Sequence, residues 1–300
     1  MNHELRFGIL TLQHLPWEEE VKRWRYIESL GFDHVWVADH FVNFANPHAY
    51  WFEAWTHLAA LAVVTKQIRI GTLVSSLPLR NPAMLARQAL TVDHISQGRL
   101  ELGLGSGVSG KIDIGYAMIG VTDWSLPERI ARFREMVEIV DLCLRNHEVD
   151  YEGRYYHLKG TIIAPAPIQK PRPPFTIAAM GSKMLKIAAM YGDTWNSTGG
   201  YFDKTPDQRF NYTKKRNTLL DKYCIEIDRD PKTIRRSLLC LPPEASTIFD
   251  SVEFFQKYVK RYYDIGITEF IFYYPFKEDQ IPNFERIARN VIPRLRQHLT

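Results

Sequence analysis

Four short stretches hold residue types able to move a proton, hold a phosphate or lie against a flat ring. The first is Asp39-His40, directly after the apolar run Val35-Trp36-Val37-Ala38. An imidazole changes charge near neutral pH, and an adjacent carboxylate tunes it, so the pair can serve as an acid–base group. A helix-capping Asp beside a surface His is the other reading. The second is Gly105-Ser106-Gly107-Val108-Ser109-Gly110, which matches G-x-G-x-x-G. Its glycines let a ring or phosphate approach the backbone, or they make a plain tight turn. The third is Ala179-Met180-Gly181-Ser182-Lys183. A Gly-Ser turn entering a helix presents N–H groups to a phosphate, and Lys183 adds charge, although Gly-Ser is also a common cap. The fourth, Gly71-Thr72-Leu73-Val74-Ser75-Ser76, closes an apolar run. Its glycine marks a close approach to the backbone or a simple exit from a strand.

The elements that must position these stretches follow from the hydrophobic pattern. Strands are expected at residues 5–12, 35–38, 68–74, 100–104, 175–179, 193–196, 234–241 and 268–273. Helices are expected near 17–30, 51–65, 82–96, 127–145, 183–191, 206–224, 252–264 and 284–299. Strict β–α alternation implies a parallel sheet, and strands that are apolar throughout imply one covered on both faces. Eight such units in 300 residues fit an α/β fold, a (β/α)8 TIM barrel, as a single domain over residues 1–300. Residues 149–174, a small hairpin followed by a Pro-rich connection, read as an insertion. In a barrel the C-terminal strand ends carry the chemistry, and all four stretches fall there. The Gly-rich stretch follows the fourth strand rather than the first, and Lys111-Ile112-Asp113-Ile114-Gly115 starts a helix poorly, so a Rossmann nucleotide site is disfavoured.

Composition narrows the classes further. The chain is 45% hydrophobic and 24% charged, with a formal net charge of +4. No block of five or more like charges occurs, which argues against a nucleic-acid partner. Cys143, Cys224 and Cys240 are far apart and show no zinc-ligand spacing, so no metal is expected and a reducing compartment fits. No long apolar stretch predicts a membrane span, and the N-terminal residues lack a signal-peptide pattern, so a cytoplasmic location is expected. No G-x-S-x-G elbow points to a serine hydrolase.

Taken in order, these segments resemble the bacterial luciferase-like monooxygenase family over essentially the whole chain. The carrying pieces are Gly31-Phe32-Asp33-His34-Val35-Trp36-Val37-Ala38-Asp39-His40, Ile68-Arg69-Ile70-Gly71-Thr72-Leu73-Val74 and Arg80-Asn81-Pro82. Val92-Asp93-His94-Ile95-Ser96-Gln97-Gly98-Arg99-Leu100, Tyr151-Glu152-Gly153-Arg154-Tyr155-Tyr156 and Gly192-Asp193-Thr194-Trp195-Asn196 complete them. The resemblance implies a metal-free barrel binding coenzyme F420, or alternatively FMN, across its mouth, and leans to the F420-dependent oxidoreductase branch. It implies ring contact at Asp39, proton transfer at His40, and a cis peptide at Leu73-Val74 behind the ring. It further implies cofactor contacts at Gly105, Ser106, Gly107 and Ala179, and phosphate binding at Gly181-Ser182. A small-molecule substrate and a homodimer are expected, with a flavin reductase as partner if FMN is used, or a cofactor-binding barrel without catalysis. Sugar-phosphate dehydrogenases of this branch carry an acidic residue after the strand-four glycines. Gly107-Val108-Ser109 stands here, which argues against glucose-6-phosphate. Gly115 likewise replaces a Glu common before the tyrosine matching Tyr116. Aromatic residues in the loops 41–50 and 199–205 (Phe41, Phe44, Tyr50, Tyr201, Phe202) point to an apolar or planar ligand.

Overall fold

A computed structural model describes residues 3–43, 46–200 and 203–299. Strand β1 (Arg6–Thr11) leads into helix α1 (Trp17–Ser29), whose first turn places Glu18, Glu19 and Glu20 at the positive end of the helix dipole. Gly31, at φ +80°, ends that helical segment where a side chain would be strained. Strand β2 (His34–Val37) is followed by α2 (Ala54–Val64), capped by the Glu53 carboxylate, which accepts from the N–H groups of Trp55 and Thr56. Strand β3 (Arg69–Thr72) stops at Leu73-Val74, whose peptide bond is cis, and resumes as β4 (Ser75–Ser76). Asn81 caps α3 (Pro82–Ile95) by accepting from Met84 N–H, and Pro82 occupies the first turn, where its missing N–H costs nothing.

Strand β5 (Leu100–Gly105) precedes a short helix α4 (Gly115–Met118) and the long α5 (Leu126–Arg145). The expected hairpin is β6 (Glu148–Glu152) with β7 (His157–Ile162), paired antiparallel with an irregularity between Val149 and Tyr151. The rest alternates: β8 (Phe175–Ala178), α6 (Ser182–Tyr191), β9 (Thr194–Ser197), α7 (Pro206–Ile225), β10 (Arg235–Leu239), α8 (Val252–Tyr263) and β11 (Glu269–Tyr273). Thr205 and Gln208 form a reciprocal capping box on α7. The final helical stretch begins at α9 (Ile281–Arg286), with Pro282 in its first turn, and reaches α10 (Ile292–Leu299) through a π-helical turn at Ile287–Val291.

The strands follow the order β3-β2-β1-β11-β10-β9-β8-β5, and β3 also pairs with β5, so the sheet returns to its first strand. This is a closed eight-stranded (β/α)8 barrel, with β4 an extra short segment on β5. Internal contacts divide between two compact units. One comprises Met1–Thr11, Arg25–Trp36 and Ile177–Thr300; the other comprises Leu12–Trp24 and Val37–Thr176. In the first, Phe7 stacks on Phe270 at 5.8 Å and Phe255 meets Phe272 at 5.2 Å, all four rings fully buried. In the second, α3 and α5 turn apolar faces inward (Leu85, Ala89 and Leu90; Phe133, Val137 and Val140), all buried. Each such large side chain contributes about 1.5–3 kcal/mol over exposure.

Two local expectations change. Helix α4 starts beside the stretch read as a poor starter, because Asp113 Oδ1 accepts the Gly115 N–H and opens the turn. The last helix starts at Ile281 rather than Phe284, and its π turn was not foreseen.

Candidate active site

The Val37–Thr176 part of the chain holds the strand-two, strand-three and strand-four stretches together. Leu73 N–H donates to Val37 O at 2.8 Å, tying the bulge after β3 to β2. At the end of β2, Asp39 is 2% exposed and its carboxylate is fully engaged. Oδ2 accepts from Ser76 N–H at 2.9 Å and from Arg80 Nε at 2.8 Å, and Oδ1 accepts from a second nitrogen of the same guanidinium. This two-point Arg–carboxylate geometry is the strong form of an ion pair. Arg80 also donates to Glu53 at 2.6 Å. Burial alone would lower the Arg80 pKa, but Asp39 and then Glu53 raise it beyond its ordinary value, so the guanidinium stays charged. Asp39 is thereby a brace that joins the β2 end to β4 and to the start of α3.

His40 lies beside this brace, part-buried. The carboxylate that faces it is Asp113, at 3.0 Å from Nδ1, and not the adjacent Asp39. Asp113 is fully buried, accepting the Gly115 N–H at 3.0 Å through its other oxygen. Gly115 has no room for a side chain there: a Cβ would sit 2.8 Å from Phe41 Cβ. Tyr116 is buried and hydrogen-bonded to Ser76 Oγ at 2.9 Å, and burial pushes its phenol pKa up. The segment 113–116 therefore closes over the ends of β2 and β4. Asp113 and Arg80 were not among the expected site residues. The only signal for Asp113 was an acidic residue between Ile112 and Ile114, just past the Gly-rich run.

The glycines of β5 serve the chain itself. A Cβ on Gly103 would lie 1.8 Å from Thr72 O, and one on Gly105 would lie 2.3 Å from Val74 Cγ2. Gly107, at φ +69°, is pressed by Pro78 and the Tyr116 hydroxyl. The missing side chains admit the Leu73-Val74 bulge, leaving Val74, Ser106 and Gly107 half-exposed beside it.

Ala179, Gly181 and Ser182 belong to the other compact unit. Ala179 is buried, its N–H donating to Asn196 O at 3.2 Å and its carbonyl accepting from Trp195 Nε1 at 2.8 Å. Gly181 is the N-cap of α6 and has no side-chain cap hydrogen bond. A Cβ there would meet nothing within 4 Å, and Ser182 and Lys183 are exposed. An uncapped helix start with open space above a glycine and a lysine beside it fits a phosphate.

Other residues singled out by type are placed as follows. Cys143, Cys224 and Cys240 are free thiols, all buried. His57 is 3% exposed within an aromatic cage, its ring 4.3 Å from Trp24 and 5.5 Å from Phe52. Phe41 and Tyr50 are exposed, whereas Phe44, Tyr201 and Phe202 lie outside the described residues. Among the described residues no cluster of three or more His, Cys, Asp or Glu could hold a metal ion, and no helix is long and apolar enough to cross a membrane.

The strands close into a barrel, with a histidine–carboxylate pair after its second strand. The chain belongs to the luciferase-like monooxygenase family, which it matches over residues 5–214. It is 28% identical to the F420-dependent glucose-6-phosphate dehydrogenase of Segniliparus rotundus, over 90% of this chain and 91% of that one. It is 35% identical to the enzyme of the same name from Amycolatopsis mediterranei, but over 58% of this chain and only about half, 51%, of that relative's length. Among solved structures, an F420-dependent secondary alcohol dehydrogenase in complex with an F420-acetone adduct superimposes with a TM-score of 0.81. The identity is 20%, over 96% of this chain and 100% of the other.

Proposed function

We propose that this chain is an F420-dependent oxidoreductase that transfers a hydride between the deazaflavin and a small organic alcohol or carbonyl compound. The observation that carries the reading is His40: a part-buried imidazole at a strand end, with a buried carboxylate 3.0 Å from one ring nitrogen. When bound, F420 supplies the hydride acceptor or donor. The protein's residues handle the rest. His40 accepts the proton of a substrate hydroxyl during oxidation and returns it to a carbonyl oxygen in reduction. Asp39, through Arg80 and the Ser76 N–H, keeps the β2 end in register with the Leu73-Val74 bulge. Val74, Ser106 and Gly107 offer a surface for a ring; in the other compact unit, the Gly181-Ser182 turn with Lys183 offers N–H groups to a phosphate.

The surroundings favour an apolar substrate over a sugar phosphate. Val108 brings no charge after the β5 glycines, and Phe41, Ile112, Ile114 and Met118 are 47%, 49%, 40% and 54% exposed on the segments that carry His40 and Asp113. The test is anaerobic turnover: bleaching of oxidised F420 with a panel of secondary alcohols, using wild type and His40→Ala. The reading expects at least one apolar alcohol to bleach the cofactor and His40→Ala to lose about 100-fold or more, the usual worth of an acid–base group. Full turnover by His40→Ala would remove His40 from the reaction.

A further inference from the structure

We infer that Asp113 fixes the tautomer of His40 and thereby makes Nε2 the basic ring nitrogen; the inference rests on the acid–base role proposed for His40. The geometry is specific. Asp113 Oδ2 lies 3.0 Å from His40 Nδ1, and the carboxylate side chain is wholly buried while the imidazole is 29% exposed. An ionised carboxylate can only accept, so the neutral ring facing it carries its proton on Nδ1. The lone pair that takes a proton is then on Nε2. Free imidazole in water prefers the opposite tautomer, with Nε2 protonated and nothing basic on that side.

The carboxylate is itself held. Its Oδ1 accepts the Gly115 N–H at 3.0 Å, and Asp113 N–H donates to Ser109 O at 3.0 Å, so the group cannot swing away without opening the turn before α4. Among the described residues, the neighbouring carboxylate and phenol have partners of their own. Asp39 is locked to Arg80, which also binds Glu53, and Tyr116 is bonded to Ser76, with Arg129 acting on it from α5. Asp113 is the carboxylate that meets His40 Nδ1. It is a positioning residue, acting on substrate only through the ring. The Val108 position lacks an acid, but the same loop supplies one five residues later, aimed at the histidine instead of into the mouth. That placement suits removal of a hydroxyl proton, the chemistry of an alcohol substrate.

A merely structural role for Asp113, capping Gly115, is separable by Asp113→Asn. The asparagine carbonyl still accepts the Gly115 N–H, so the cap persists, but its amide now donates to His40 Nδ1 and drives the ring proton to Nε2. The experiment is nitrogen NMR of histidine-labelled protein above the pH at which the rings titrate, with His40 assigned by its missing signals in His40→Gln. Wild type is expected to show His40 protonated on Nδ1, and Asp113→Asn to invert the tautomer with thermal stability retained. A wild-type ring protonated on Nε2, or a variant ring unchanged from wild type, would overturn the inference. F420 titration of the same two proteins keeps the two readings apart. Failure of both to bind F420 removes the cofactor reading, while the ring signals still decide the role of Asp113.

Discussion

At the scale of residues, the site depends on buried charge that is paired twice over. Asp39 and Arg80 satisfy one another at two points; removing Arg80 leaves a buried carboxylate with only the Ser76 N–H, and removing Asp39 leaves a part-buried guanidinium held by Glu53. Breaking such a pair from one side costs about 3–5 kcal/mol. Asp39→Ala and Arg80→Ala should each unfold at markedly lower denaturant than wild type, and the double variant should lose far less than the sum. Additive losses in that cycle would show that the two do not form one unit. Asp39-His40 stood out in the sequence as polar residues at the end of an apolar barrel strand, where a barrel presents its chemistry. Their partners were not. Arg80 lies 41 residues after Asp39 and Asp113 lies 73 after His40, and no local pattern links residues so far apart. The fold alone brings them together: the adjacent carboxylate is bonded to Arg80, and the distant one faces the imidazole.

At the scale of elements, glycines that look alike in the sequence do different work. Gly103 sits against a backbone carbonyl of β3, whereas Gly181 faces open space at the start of α6. Gly103→Ala should therefore destabilise the barrel severely, as overpacking against backbone costs about 1–3 kcal/mol or more. Gly181→Ala should leave the melting temperature unchanged but weaken F420 binding, because the new methyl crowds the helix N-terminus. Equal thermal losses in both variants would contradict the distinction. Strand and helix positions were readable from periodicity to within a few residues, since long apolar runs and N-caps such as Asn81 and Thr205 mark their ends. Helix α4 escaped because a side chain from within the preceding turn, Asp113, starts it, and the π turn at Ile287–Val291 escaped because apolar periodicity runs on through it.

At the scale of the whole molecule, two buried titratable side chains set opposing pH dependences. Burial pushes the Glu20 carboxyl up to about 7, and its Oε2 has no hydrogen-bond partner. The folded state holds that proton more tightly than the unfolded chain does, so stability falls as pH rises from 4.5 to about 7. Burial in the aromatic cage pushes His57 down to about 4. Its stability contribution is full above 6.5 and is lost as pH falls toward about 4. The two slopes nearly cancel in wild type. Glu20→Gln should raise the melting temperature at about pH 8 and expose the acid-side loss due to His57, whereas His57→Leu should expose the alkaline-side loss due to Glu20. Superimposable pH–stability curves for the three proteins would refute this assignment. The central claim, however, concerns the cofactor, and binding tests it without any knowledge of the substrate. Fluorescence titration of the purified protein with oxidised F420 and, separately, with FMN is the decisive measurement. The account predicts saturable micromolar or tighter binding of F420, weakened by Gly181→Ala, with FMN bound at least about tenfold more weakly, a gap of ~1.4 kcal/mol. Tight FMN binding with no response to F420 would contradict it.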